Sequence, residues 1–378
     1  MNNSRDGYEY LYDRTQGQRY PLASGDFMKT KFANLIPCLT LVAVAISTCF
    51  MVAAPVAAQS TPTYAVARTM VIGGDGGWDY VYADSAARRL YVARATRFMV
   101  VDLDSGKVVG EIPDTPGAHG VAVVSDLGIG FTTNGRENTS SVFDLKTLKV
   151  SEKIKTAEGP DAIVYDSASG HVFIMDGHGK AASVIDPKTR KVVATVALSG
   201  KPEAPVADGK GRVYVNIEDK NSIAVIDSSS NKVVAEWPMA GCDEPSGLAM
   251  DQEEGRLFAA CGNKLMAIVD SKAGKLLSTV PTGDSSDGAA FDPKAKVAVT
   301  SNGEGFMSFV GERDGKYTLI ENVPTKKGAR TITFDAATGQ MLTVSADLGP
   351  APKPSPENPR GRPLPLPNSF VVIAVGKK

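Results

Sequence analysis

Seven polar residues recur at one position of a repeat roughly 42 residues long: Asp79, His119, Asp161, Glu203, Ser246, Asp287 and Arg330. Brought to one place, four carboxylates, a histidine and an arginine could bind a divalent cation or a polar ligand, because hard cations take several oxygen ligands. Clustered acids would also raise one another's pKa, a property common at binding and catalytic sites. Left apart, the same residues line a water-filled channel and cap strand ends. Trp78 precedes the first of them within GGDGGWDY. The glycines there allow close backbone approach or positive φ. The indole offers either a stacking surface for a base or sugar ring or a packing residue at the junction of the first and last repeats. Three histidines without H-E-x-x-H, C-x-x-C-H, G-x-S-x-G or a Walker loop exclude the common zinc-protease, c-haem, serine-hydrolase and P-loop classes. Of the other histidines, His171 is expected on a strand surface. His178 lies in Asp176-Gly177-His178-Gly179, a tight turn where it could join Asp176 on a metal.

The elements that must position these residues are legible from a second series. VVDLDSGKVV, VFDLKTLKV, VIDPKTRKVV, VIDSSSNKVV and IVDSKAGKLL place Asp102, Asp144, Asp186, Asp227 and Asp270 at spacings of 42, 42, 41 and 43. Each precedes a turn whose N–H groups it can accept. A third marker, an acid closing an apolar run, recurs at Asp84, Asp126, Asp166, Asp208, Asp251, Asp292 and Asp335, which counts seven units. Within a unit, short β-branched and aromatic runs alternate with turn residues, reading as four strands with no helical periodicity. Four-stranded units of this length predict an all-β fold, a seven-bladed β-propeller. The seven polar residues then stand where each blade's first strand begins, at the mouth of the central channel. The last unit supplies only three strands, ARTITFD, QMLTVSA and SFVVIAV. The segment YAVARTMVI at 64–72 is expected to add the fourth, so that the N-terminal strand closes the last blade and removes an exposed edge.

Outside the repeats, residues 1–27 form a polar extension that translation from Met28 would omit. Residues 28–58 read as a signal peptide: a basic Met28-Lys29-Thr30-Lys31, a long apolar run and Val56-Ala57-Ala58 before Gln59. Cleavage after Ala58 would leave a propeller over 59–378 with no membrane insertion; without cleavage the run would anchor the chain. Export makes Cys242 and Cys261, both at one end of a single blade, an expected disulfide. The chain carries 41 Lys and Arg against 42 Asp and Glu, so no long-range attraction to nucleic acid is indicated. A Pro-rich insertion at 347–368 interrupts the last blade and is expected to be an extended, exposed loop, a candidate tether for a protein partner.

The units RLYVARATRFMVVDLDSGKVVGEI and RVYVNIEDKNSIAVIDSSSNKVVAEW resemble the repeat of the YVTN family of bacterial β-propellers, and of its YncE-like periplasmic members. Tyr91-Val92-Ala93 and Tyr214-Val215-Asn216 match its name-giving strand most closely. The resemblance implies an exported, periplasmic or secreted seven-bladed propeller, and single-stranded DNA as one ligand. Three functions follow from these observations. The leading one is a non-catalytic, monomeric binding or scaffold protein that takes a small polar ligand or protein partner at the channel mouth. The second is a metal-dependent hydrolase or lyase using Asp161, Glu203 and Asp287 with His119. The third is a nucleic-acid binder stacking bases on Trp78.

Overall fold

The computed structural model describes residues 63–354 and 363–378, and near the N-terminus the backbone of a short hairpin pairing Tyr10–Asp13 with Gln18–Pro21. That hairpin belongs to a separate unit. The expected signal peptide and its cleavage point lie outside the described residues. Among the described residues no helix is long and apolar enough to cross a membrane.

Seven four-stranded antiparallel sheets follow one another along the chain as the blades of a propeller. Blades 1 to 6 occupy 81–112, 118–155, 160–197, 202–238, 248–281 and 286–324. Blade 7 takes three strands from Ile332–Asp335, Gln340–Ser345 and Val371–Lys377. Its outer strand is Tyr64–Val71, paired antiparallel with Val371–Lys377, so the expected closure by the N-terminal strand is the closure observed. The Pro-rich insertion leaves blade 7 between its second and third strands.

The burial pattern follows from the ring. Second and third strands are covered by neighbouring blades on both faces and read as unbroken apolar runs, as in the buried Val-Phe-Ile-Met of His171–Asp176. Fourth strands face water on one side and alternate, as in Lys191–Ala197. Seven apolar clusters fill the seven interfaces between blades. The pair that flanks blade 7 includes Tyr64, stacked on Phe309 at 4.1 Å between centroids, and Met70. Both come from the closing strand.

The aspartate series does the work its spacing suggests. Asp102, Asp144, Asp186, Asp227 and Asp270 each accept a backbone N–H of the following turn at 2.7–2.9 Å. Hydrogen bonds from the turn hold all five carboxyls below the usual range, the Ser105 and Ser229 hydroxyls first at Asp102 and Asp227 and the backbone N–H groups first at the other three. Asp126 departs from its own series by sitting in a 3₁₀ turn, Ser125–Leu127. A β-bulge also falls between the third and fourth strands of every blade, for example at Val100/Val101 and Val184/Ile185.

A buried amide pins the hairpin between second and third strands in two blades: Asn134 reaches Ser141 at 2.9 Å, and Asn302 reaches Ser308 at 3.0 Å. Blade 3 carries Asp176 there instead. Its Oδ2 accepts from the Ser183 N–H and hydroxyl, and its Oδ1 has no partner. Burial pushes this carboxyl up from 3.8 to about 6, against the hydrogen bonds from Ser183. A carboxyl that holds its proton more tightly when folded costs nothing below the unfolded value and costs progressively more as pH rises through the folded one. Asp176→Asn is therefore expected to stabilise the protein at pH 7 by up to about 3 kcal/mol, and to leave it unchanged near pH 3.5. Urea titrations of both proteins across that range check it; a gain that is equal at both pH values would refute the assignment. His178 is exposed on the adjoining turn, so it does not share a buried site with Asp176.

Candidate functional site at the channel mouth

Every blade breaks its inner-strand pairing at the predicted ring position. In blades 2, 3, 4 and 6 the register shifts next to His119, Asp161, Glu203 and Asp287. In blades 1, 5 and 7 regular pairing begins only after Asp79, Ser246 and Arg330. Such irregularities re-aim side chains, here toward one another rather than into the blade. The residue that follows each is small, as at Gly120, Ala162, Ala204, Gly247 and Gly288. A Cβ at Gly247 would lie 2.5 Å from the Ala289 nitrogen and one at Gly288 2.8 Å from that of Ile332, so inner strands approach too closely for side chains there.

Tyr80 is the exception, and sequence reasoning passed over it. It lines a cavity of about 140 Å³ along the channel with the small residues, and its hydroxyl donates to Glu203 Oε2 at 3.3 Å. Blade 1 thus touches blade 4 across the axis. Burial, then the carboxylates of Glu203, Asp161, Asp79 and Asp287, push the phenol well above its usual range. A single large residue in a column of glycine and alanine was the available signal.

Six of the seven ring residues fall into three groups. Asp79, His119 and Asp161 converge: His119 Nδ1 hydrogen-bonds Asp79 Oδ2 and lies 3.5 Å from Asp161 Oδ1, and one ligand atom from each residue lies within 4.8 Å of the other two. Burial opposes charge on His119, but the hydrogen bond to Asp79 and the charges of Asp161, Asp79 and Glu203 outweigh it and raise the imidazole to about 9. Glu203, 10% exposed, accepts from Lys201 Nζ at 2.6 Å, and Lys201 also pairs with Glu218. Burial pushes the Asp161 carboxyl upward against His119, with Asp79 and Asp287 adding to it, and burial followed by the charge of Asp161 pushes Glu203 upward. In the third group, Arg330 Nε donates to Asp287 Oδ2 at 2.5 Å, its Nη2 donates to the Trp78 carbonyl at 3.1 Å, and Asp79 Oδ1 is 3.6 Å away. Burial raises Asp287 despite Arg330. Ser246 stands apart, its hydroxyl spent on the Ser286 carbonyl at 2.7 Å.

Trp78 packs its ring 5.4 Å from Phe370, at the junction of blades 7 and 1, and also borders an open cavity of about 720 Å³ at the mouth. Carboxylates of Glu218, Glu244, Asp284 and Asp287 line this cavity, with Lys327 and Arg330 among its other walls. The glycines before Trp78 serve a residue that the sequence did not single out. Arg94, 0% exposed, donates to the carbonyls of Gly73 (3.1 Å), Asp75 (2.6 Å), Gly76 (3.1 Å) and Gly77 (3.1 Å) and stacks 3.7 Å above the Phe370 ring. Burial, then Arg97, pulls its pKa down to about 10. Gly73, Gly74 and Gly76 have φ of 60°, 78° and 86°, the left-handed turn that aims these carbonyls inward.

Cys242 and Cys261 form a disulfide with Cα atoms 5.2 Å apart. It fastens the segment before blade 5 to the end of that blade's second strand, beside the cavity residues Glu244 and Gly262.

No protein-family model matches the chain, and no curated protein sequence matches it. Solved structures do. Kuenenia stuttgartiensis hydrazine synthase is 17% identical with a TM-score of 0.61, over 72% of this chain and 92% of that one. The structure of U3-55K is 10% identical with a TM-score of 0.67, over 81% and 97%. The WD40 repeats of RRP9 are 10% identical with a TM-score of 0.68, over 83% and 99%. At such identities the likeness is one of fold: the chain is a seven-bladed β-propeller with WD40-like structural neighbours.

Proposed function

We propose that the chain is an exported, monomeric, non-catalytic binding protein of the YVTN repeat type that takes a small polar ligand at the channel mouth. The observation that carries this is the 720 Å³ cavity where Trp78, Asp287 and Arg330 meet the rim carboxylates Glu218, Glu244 and Asp284. Its volume suits a small molecule, and its convergent polar groups suit orientation of that molecule. The ligand that complements it carries a cationic group toward the carboxylates of blades 4 to 6. The disulfide favours an oxidising compartment, and Tyr91-Val92 and Tyr214-Val215 favour the repeat type. A phosphate backbone would face those same carboxylates, so single-stranded DNA is the weaker reading.

Thermal-shift measurements with amino acids, polyamines and sugars test it, run on the wild type and on Glu244→Lys, a change at an exposed rim position. A ligand at 100 times its Kd should stabilise the wild type by about 2.7 kcal/mol and the variant much less. Stabilisation by no compound, or equal stabilisation of both proteins, refutes it. A thymidine oligonucleotide is expected not to bind at about 0.15 M salt; tight, salt-sensitive binding would favour the nucleic-acid reading instead.

A further inference from the structure

From Asp79, His119 and Asp161 we infer a binding site for one divalent first-row transition ion, of which zinc is the representative, separate from the cavity beside it. The three donors come from consecutive ring positions in blades 1, 2 and 3, and their ligand atoms converge within 4.8 Å. One of them is unsatisfied: Asp161 Oδ1 is shielded from water and accepts no hydrogen bond. Its nearest positive group is the His119 ring at 3.5 Å, so a cation held among the three donors would give this oxygen the direct partner it lacks.

The imidazole is seated for the task. A Cβ on Gly135 would lie 2.8 Å from His119 Nε2, so the bare glycine admits the ring edge and leaves Nδ1 facing the two carboxylates. Zinc bonds of about 2.0–2.2 Å place tetrahedral ligand atoms about 3.3–3.5 Å apart. The 3.5 Å between His119 Nδ1 and Asp161 Oδ1 matches such an edge. The Asp79 contact is a hydrogen bond, which an ion would displace along with the Nδ1 proton. Three protein donors leave a coordination position open toward the channel.

The donor set also selects the ion. Calcium and magnesium want six or more oxygens, whereas one imidazole with two carboxylates suits zinc, manganese, iron or cobalt.

The test uses the full chain without a polyhistidine tag, stripped with EDTA, then equilibrated with Zn²⁺ and separately with Co²⁺. Elemental analysis should find one zinc per chain, and the cobalt form should show visible absorption bands of a low-coordinate site. His119→Gln and Asp161→Asn, each checked by circular dichroism, should weaken binding by more than the 10–100-fold typical of losing an outer partner. Glu244→Lys should leave it unchanged, which separates failure here from failure of the ligand proposal. Absence of stoichiometric zinc in the wild type, or binding by either ligand variant as tight as the wild type's, overturns the inference.

Discussion

Arg94→Met is expected to lower the stability of the folded protein by about 3–5 kcal/mol, because four carbonyls lose a charged donor worth roughly 1.5–3 kcal/mol each while water reaches the exposed ones. The apolar side chain fills similar space but leaves the carbonyls of Gly73, Asp75, Gly76 and Gly77 without their donors. It also removes the cation stacked on Phe370, a residue whose own carbonyl accepts the N–H groups of Ile72 and Gly73. The loss falls on the seam where the end of the chain meets its beginning. A fall in melting temperature of roughly 5–10 °C should accompany it. Hydrogen exchange at 73–77 should speed up before the rest of the ring opens. Arg94→Lys keeps the charge but offers a single compact ammonium to carbonyls arranged around a planar fork, so it should recover only part of the loss. Equal stability of Arg94→Met and wild type would show that the glycine turn is held by other contacts.

The second large effect is expected from deleting residues 63–72. Blade 7 then loses its outer strand, and the ladder edge of Val371–Lys377 is exposed. Tyr64 and Met70 leave the two clusters that hold blade 7 to its neighbours. Each such side chain contributes about 1.5–3 kcal/mol by burial, so the loss is a large share of a stability of about 5–15 kcal/mol. The truncated protein should give no cooperative unfolding transition and should associate through its open edge. A synthetic peptide spanning 63–72 should restore the transition in trans. A truncated protein that unfolds cooperatively without the peptide would mean that six and three-quarter blades suffice.

The fold was legible because the repeat writes it seven times. One Asp per turn, one apolar run per buried strand and one strand missing from the last unit together specify blade count and closure. The candidate site was legible only as a set of positions. The single-residue register shifts that aim His119, Asp161, Glu203 and Asp287 belong to the backbone, and no residue type announces them. Pairing within the ring was likewise hidden: Lys201 reaches Glu203 from two residues upstream, and Tyr80 reaches it from the far side of the channel. Arg94 ends a strand in the place where sister units have Asn134, Asp176 and Asn302, yet it performs a different task, because the partner it needs, a glycine turn, occurs only before blade 1. The glycines before Trp78 were expected to allow positive φ or close backbone approach, and they use both to aim their carbonyls at that guanidinium.

The pairing of Tyr64 with Lys377 also sets an order of events in time. Blades 1 to 6 each have three hairpins between sequence neighbours and can form them early, whereas the third pairing of blade 7 is the seam that joins the two ends of the propeller chain. Bringing those ends together costs about 5 kcal/mol in loop entropy before any contact at the seam repays it. Refolding should therefore show fast local burial followed by a slow phase in which blade 7 completes. During synthesis the strand that emerges first among the propeller residues is the last to find its partner, so Tyr64–Val71 stays unpaired until Val371–Lys377 has been made. The interval in which this molecule is open to misassociation is the time needed to deliver its whole length.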